Sequence, residues 1–112
     1  KWIKKRILEK AKNIVFNFSK TLDVKIRKIK LSNSFSYWGS CNSNSDININ
    51  WRLAFSPSEV LEYIIAHEMC HLIEFNHSKK FWSLVDNLIS KRKSSENWLK
   101  KNGNYLYRVR FN

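Results

Sequence analysis

The three histidines of this 112-residue chain all lie in one short segment, from His67 to His77. On an α-helix, His67 and His71 are one turn apart, so their imidazoles project side by side in the geometry that binds a zinc ion. Glu68 lies about 100° around the helix from His67, where its carboxylate can reach a metal-bound water without ligating the metal. A catalytic zinc takes three protein ligands and keeps one position open. Because the chain has no other histidine, the sequence predicts His77 as the third ligand.

The segment around these residues carries helix signals. Ser56 is predicted as an N-cap, Pro57 as the first helical residue and Glu59 as the partner in a capping box. The residues that follow are apolar on nearly every side, which is typical of a buried helix, so the polar histidines there need a partner such as a metal. Asn76 is expected to take a left-handed conformation after the helix, and Ser78 is expected to cap the next helix.

Glu74 is predicted to lie on the same helical face as His67 and His71. A solvated side chain near the helix end is the preferred interpretation, with a role beside the metal ligands, or as an alternative ligand, left open. The spacing of the three histidines also fits the HExxHxxGxxH pattern of metzincins. Glu74 stands where that pattern has glycine, however, and the one methionine, Met69, leaves no downstream Met-turn. The metzincin interpretation is therefore rejected.

Further short motifs accompany the histidines in a fixed order within about residues 35–90. They are Trp38-Gly39-Ser40-Cys41, Ile49-Asn50-Trp51-Arg52-Leu53, His67-Glu68-Met69-Cys70-His71-Leu72, Asn76-His77-Ser78 and Phe81-Trp82. Together they resemble the YgjP-like metallopeptidase domain and, in this short form, the minigluzincins. The resemblance implies zinc bound by His67, His71 and His77, with Glu68 as general base. It also implies a zinc metalloendopeptidase of the EC 3.4.24 type, acting on a peptide or protein substrate, and similarity to the catalytic domains of membrane-integral zinc peptidases.

The apolar patterns and the resemblance together predict an α+β class. We expect one minimal zincin-like domain over residues 1–112, with an N-terminal helix, a small mostly antiparallel sheet, the histidine helix and C-terminal helices. The first helix covers about residues 2–20 and should pack against the histidine helix. Strands are predicted near residues 24–31, 35–41 and 46–53. In zincins an extended substrate adds to the strand at the rim of the cleft, and residues 46–51 are the predicted rim.

Beyond His77, residues 80–90 predict a second helix and residues 95–101 a third, which is expected to end at Gly103. The alternating residues from Tyr105 to Phe111 predict a strand. The resemblance to minigluzincins implies a zymogen in which the C-terminal segment, about residues 91–112, covers the cleft. It would do so within one chain or by exchange in a dimer.

The net charge of +12 leaves two alternatives open. Basic clusters are typical of nucleic-acid binding, as in SprT-like zinc proteases that act on DNA-bound proteins. The same surface could hold phosphates for zinc-dependent hydrolysis of nucleotides. Abundant Lys, Asn and Ile also follow from an A+T-rich genome, so a solvated basic surface is the preferred interpretation.

The two cysteines, Cys41 and Cys70, lack the spacing of a metal finger and are expected to be small buried residues. They fit a reducing, cytoplasmic location. No segment reaches the roughly 18 apolar residues needed to span a bilayer. Because Lys1 is not methionine, a removed leader or anchor stays open.

Overall fold

The computed structural model describes residues 2–109 and confirms the α+β class. Helix α1 (Trp2–Leu22) is followed by strands β1 (Lys28–Ser32), β2 (Gly39–Cys41) and β3 (Asp46–Asn50), and by a 3₁₀ helix (Trp51–Phe55). Three further helices complete the order: α2 (Ser58–Cys70), α3 (Lys79–Leu88) and α4 (Arg92–Tyr107). Apolar residues of α1, β3 and α2 share one buried cluster, which confirms that the first helix packs against the histidine helix.

The sheet is mixed, whereas the sequence predicted mostly antiparallel pairing. Strand β3 lies in the centre, parallel to β1 and antiparallel to β2. The β2–β3 hairpin closes through a polar turn, in which the Asn42 side chain accepts hydrogen bonds from the backbone of Asn44 and Asp46. In the sequence β2 comes between β1 and β3 and runs in the opposite direction, so β3 begins at the same end of the sheet as β1 and runs parallel to it. The predicted rim, residues 46–51, is therefore wrong: both sides of β3 are already paired, and β1 and β2 are the two edge strands.

Strand β3 ends earlier than the alternating pattern predicted, because Asn50 caps the 3₁₀ helix. Its side-chain oxygen accepts a hydrogen bond from the Arg52 backbone N–H, and its amide donates to the carbonyls of Ser34 and Tyr37. Asn50 is fully buried, so these bonds satisfy a polar group that would otherwise be costly. The chain therefore turns at Trp51, where a strand through Leu53 was expected.

The start of α2 is one residue later than predicted. Pro57 holds the N-cap position, and no side chain caps the helix. The Ser56 hydroxyl donates instead to the carbonyl of Leu53 at 2.7 Å, which closes the 3₁₀ helix. At the other end, Asn76 is not left-handed: among described non-glycine residues, only Asp23 and Ser45 have positive φ.

Helix α3 begins as predicted, with the Ser78 hydroxyl accepting from the Phe81 backbone N–H at 3.3 Å. Helix α4 is much longer than predicted and runs straight through Gly103. A Cβ at Gly103 would lie 3.3 Å from Trp38 Cζ2, so this glycine makes room for an indole and does not end the helix. The predicted tail strand is wrong at Tyr105–Tyr107, which are helical, and its last residues, 110 and 111, lie outside the described part.

Candidate metal centre

The end of helix α2 positions two of the predicted ligands: His67 lies in its last turn, and His71 is its C-cap residue. His67 and His71 lie on one face, with ring centroids 4.8 Å apart. His77 comes from the loop that follows α2, and its Nε2 atom lies 3.1 Å from Nε2 of His71. One potential ligand atom from each histidine falls within a group no wider than 4.8 Å. The tertiary structure thus brings together all three predicted ligands.

The spacing of these nitrogens suits a tetrahedral metal. Two imidazole nitrogens on a zinc ion are about 3.3 Å apart, given Zn–N bonds of about 2.05 Å. The 3.1 Å between His71 and His77 is close to that distance. His67 Nδ1 lies 3.2 Å from Glu68 Oε2, so its Nε2 is the nitrogen left for a metal. Glu68, the predicted general base, would then be adjacent in sequence to His67, one of the metal ligands.

Helix α3 supplies an aromatic wall behind the histidines. Phe81 is fully buried, and its ring lies 4.6–5.3 Å from all three imidazoles, measured between centroids. Trp82 stacks on His77 at 5.6 Å, and the Arg92 guanidinium covers the Trp82 ring at 4.4 Å. Arg92 is in turn fixed by two hydrogen bonds to Asp86. Sequence analysis named Phe81 and Trp82 as part of the motif that follows His77 but did not predict that their rings contact the imidazoles.

The surroundings of His71 favour its neutral form. Burial, followed by the charges of His67 and His77, lowers the pKa of His71 below its ordinary value, although Glu68 and the Glu74 backbone oppose the shift. A neutral imidazole is the form that ligates a metal. The Glu74 carboxylate itself forms an ion pair with Lys80 at 3.5 Å and is not part of the histidine cluster. This agrees with its preferred interpretation as a residue near the helix end.

Edge strand β2 lies directly against the predicted base. A Cβ at Gly39 would lie 3.2 Å from Glu68 Cγ and 2.8 Å from Ile64 Cγ2. On the same strand, burial and the Glu68 charge raise the pKa of Cys41 to about 11, so its thiol stays protonated. Cys70 is buried as expected, whereas Cys41 is half-buried, and both are free thiols.

Helix α4 borders the site through a contact that sequence reasoning missed. The Tyr63 hydroxyl, one turn before His67, donates to Glu96 Oε2 at 3.1 Å. Burial, followed by the charge of Glu96, raises the pKa of Tyr63 well above its ordinary value, so the phenol keeps its proton. No local pattern pairs residues 63 and 96, because the contact depends on how α4 packs over α2.

The helix with the HExxH pattern, the third histidine and the adjacent sheet edge together form a candidate metal site of the kind that metallopeptidases use. Residues 1–102 match the sequence profile of the YgjP-like metallopeptidase domain. The chain therefore belongs to the YgjP-like metallopeptidase family, and the resemblance noted from its motifs is confirmed.

Two solved structures share the fold. The metallopeptidase zymogen abylysin of Pyrococcus abyssi superposes with a TM-score of 0.71 at 16% identity, over 81% of this chain and 93% of that one. The metallopeptidase zymogen jannalysin of Methanocaldococcus jannaschii gives a TM-score of 0.65 at 26% identity, over 85% of this chain and 96% of that one. Comparison with curated proteins gave no match. No helix within residues 2–109 is long and apolar enough to cross a membrane.

Proposed function

We propose that this chain is a zinc-dependent metalloendopeptidase in which His67, His71 and His77 hold the zinc and Glu68 is the general base. The observation that carries the proposal is the histidine cluster itself, with its ligand atoms within 4.8 Å and the Glu68 carboxylate beside it. The family supports a metal and peptide substrates. We place all of this chemistry in one domain over residues 1–112.

Zinc bound there would polarise the scissile carbonyl and make a water molecule more acidic. Glu68 accepts the proton of the attacking water and passes it to the leaving amine nitrogen. The Phe81 and Trp82 rings pack against the imidazoles and hold them in place. Tyr63, held by Glu96, fixes the helical turn that precedes His67.

The substrate is proposed to bind along β2, in place of the predicted rim on β3. Strand β2 pairs with β3 on one side only, so its other side can take an extended peptide through backbone hydrogen bonds. Because Gly39 leaves too little space for a Cβ beside Glu68 and Ile64 of α2, a peptide added to this edge would pass next to the base.

The proposal is tested by metal content and peptide hydrolysis in three proteins: wild type, Glu68→Gln and His77→Ala. We expect one zinc per chain in the wild type and in Glu68→Gln, and hydrolysis of casein only in the wild type. Loss of a general base costs about 10²–10⁴-fold in rate. His77→Ala should bind zinc more weakly, because it removes one of three ligands. Full activity in Glu68→Gln would show that the base is assigned wrongly.

Latency, dimer formation, nucleic-acid binding and a cytoplasmic location stay predictions. We propose latency because the resemblance to minigluzincins implies it, and the two free cysteines agree with a reducing compartment. Hydrolysis of ATP and of casein is measured on the same protein: hydrolysis of ATP alone indicates a nucleotide hydrolase, and hydrolysis of casein alone indicates a peptidase.

A further inference from the structure

A groove of about 850 Å³ lies between the first half of α1 and the segment that leads from the 3₁₀ helix into α2. Its floor is made of the buried aliphatic residues Ile7, Leu53 and Leu61. Trp2 and Phe55 stand at its margin and remain 69% and 46% exposed. None of the three histidines lines it, so this groove is separate from the metal centre.

The groove carries an excess of positive charge. Lys5, Arg6 and Lys10 line it against one carboxylate, Glu9. In the described part of the chain, no ion pair engages any of these three cations. The Lys10 ammonium donates instead to the neutral Ser58 hydroxyl at 2.5 Å, and the Arg6 guanidinium lies over the Trp2 ring at 5.1 Å. Lys10 and Arg6 are therefore held across and beside the groove by uncharged groups.

The start of α2 adds to this positive potential. Ser58, its first residue, lines the groove, and no side chain caps the helix because Pro57 occupies the N-cap. The N-terminus of a helix carries partial positive charge from its free N–H groups. The acidic residue of this turn, Glu59, lies 3.9 Å from Lys91, outside the residues that line the groove.

We propose that this groove is an exosite that binds an acidic segment of protein substrates, in which Asp or Glu alternates with apolar residues. This rests on the proposed peptidase function. The groove cations would attract the carboxylates of the substrate segment, and its apolar side chains would pack against the aliphatic floor. Single-stranded nucleic acid would call for several aromatic rings on which successive bases stack. The floor here is aliphatic, the Trp2 ring is covered by the Arg6 guanidinium, and Phe55 is the one other aromatic residue in the described lining.

The position of the groove sets the length of substrate needed. His67 lies nine positions after Ser58 along α2, which corresponds to about 14 Å at 1.5 Å per residue. An extended peptide covers that distance with about four residues. An acidic segment in the groove would thus lie at least about four residues from the scissile bond, and short peptides would be cleaved without its help.

The test is the binding of a fluorescein-labelled peptide of alternating Asp and Leu, followed by anisotropy on the Glu68→Gln protein so that cleavage does not interfere. Adding Lys5→Glu, Arg6→Glu and Lys10→Glu should weaken binding about tenfold or more, since three charges change sign at the site. The matched control reverses Lys12, Lys25 and Lys28, which are exposed and do not line the groove. It makes the same change in net charge and should weaken binding by less than about twofold at physiological salt.

Circular dichroism checks that each variant is folded, and a second triple variant with glutamine at residues 5, 6 and 10 replaces the first if glutamate prevents folding. Equal weakening in both charge-reversed sets would mean attraction by net charge alone and would overturn the exosite. The exosite would also be overturned if the wild-type groove bound no peptide, or if it bound a labelled oligonucleotide in preference to the peptide.

Cleavage of a short neutral peptide, measured with Glu68 present, should be unchanged by the groove substitutions. If that cleavage is absent from the wild type as well, the peptidase proposal fails separately.

Discussion

At the scale of single residues, the two glycines of the chain both serve close packing. Gly39 lets β2 approach Ile64 and Glu68 of α2, and Gly103 lets the Trp38 indole lie on α4. Neither has a positive φ, so backbone conformation does not require glycine at either position. Glycine is required because neither position has enough space for a side chain.

Gly39→Ala should therefore impair catalysis more than metal binding. Its Cβ would meet the branched Ile64 side chain at 2.8 Å and Glu68 Cγ at 3.2 Å, so either β2 or Glu68 must move. Overpacking of this kind costs about 1–3 kcal/mol of stability. A displacement of about 1 Å near the chemistry can cost about 100-fold in rate. We expect kcat to fall while one zinc per chain is retained.

The measurements are zinc content, kcat, KM and thermal melting, with Ser40→Ala on the same strand as control. A Gly39→Ala enzyme that melts lower but keeps its kcat would limit Gly39 to a role in stability.

Asp46 is a second residue whose contribution can be isolated, because its effect depends on pH. A hydrogen bond from Arg27 at 2.6 Å holds the pKa of this carboxyl below its ordinary value of 3.8. The ionised form is thus favoured in the folded state, and its stabilisation is present above about pH 4 and lost as the pH falls through the lowered pKa. Asp46→Asn should reduce the free energy of unfolding at pH 7, with a difference from wild type that shrinks towards about pH 2.

Urea unfolding across this pH range measures the difference. Asp23→Asn is the control, since Asp23 is exposed and joins no ion pair among residues 2–109. A difference for Asp46→Asn that does not change with pH would contradict the assigned role of the charge.

At the scale of elements, the site depends on how α3 begins. The Ser78 hydroxyl caps α3 directly after His77, and Phe81 and Trp82 of its first turn contact the imidazole. Ser78→Ala should cost about 1 kcal/mol as a lost N-cap. It should also weaken zinc binding, because the turn that presents His77 is less firmly held. Ser78→Asp should restore both, since aspartate is an equally good cap.

Zinc affinity is measured by competition with a chelator, beside thermal melting of the apo protein. A Ser78→Ala protein of lower stability and unchanged zinc affinity would show that the cap does not position His77.

At the scale of the whole molecule, α4 is built into the fold along its length. Ser95 donates to the carbonyl of Glu59, Leu106 is buried, and Tyr107 stacks on Trp38 with ring centroids 4.1 Å apart. Beyond the helix, the fully buried Arg52 donates to the carbonyl of Val109 at 3.0 Å. An inhibitory segment that spans all of residues 91–112 would thus include residues on which the core depends.

Latency is therefore tested by a short truncation. A chain that ends at Val109 keeps the contacts of α4 and the hydrogen bond from Arg52, and should stay folded, with higher activity on casein if the last residues cover the cleft. A chain that ends at Asn102 loses Leu106 and the stack on Trp38, and should be less stable by about 2–5 kcal/mol, the range for loss of a large buried apolar side chain. Casein hydrolysis and thermal melting are compared with the full chain. No gain of activity in the longer truncated form would count against latency through the tail.

Local sequence determined much of this protein. The spacing of His67, Glu68 and His71 places them correctly because a helix repeats every 3.6 residues, and Ser78 marks the start of α3 because a cap acts within one turn. The Asn42 turn closes its hairpin through hydrogen bonds to residues at most four positions away. Patterns of this range can be interpreted without knowing what packs around them.

Only the tertiary structure decided which strand is central, where α4 ends and what surrounds the histidines. The alternation in β3 indicates a strand but not its neighbours, because pairing with β1 and β2 joins distant segments. Gly103 reads locally as a helix end, yet Trp38, 65 positions earlier, makes it a packing site. The sequence by itself determined the candidate ligands and the candidate base, because these residues lie within a few turns of one another along the chain. Long-range packing decided that β2 is the edge beside Glu68, since burial and strand pairing depend on the whole fold.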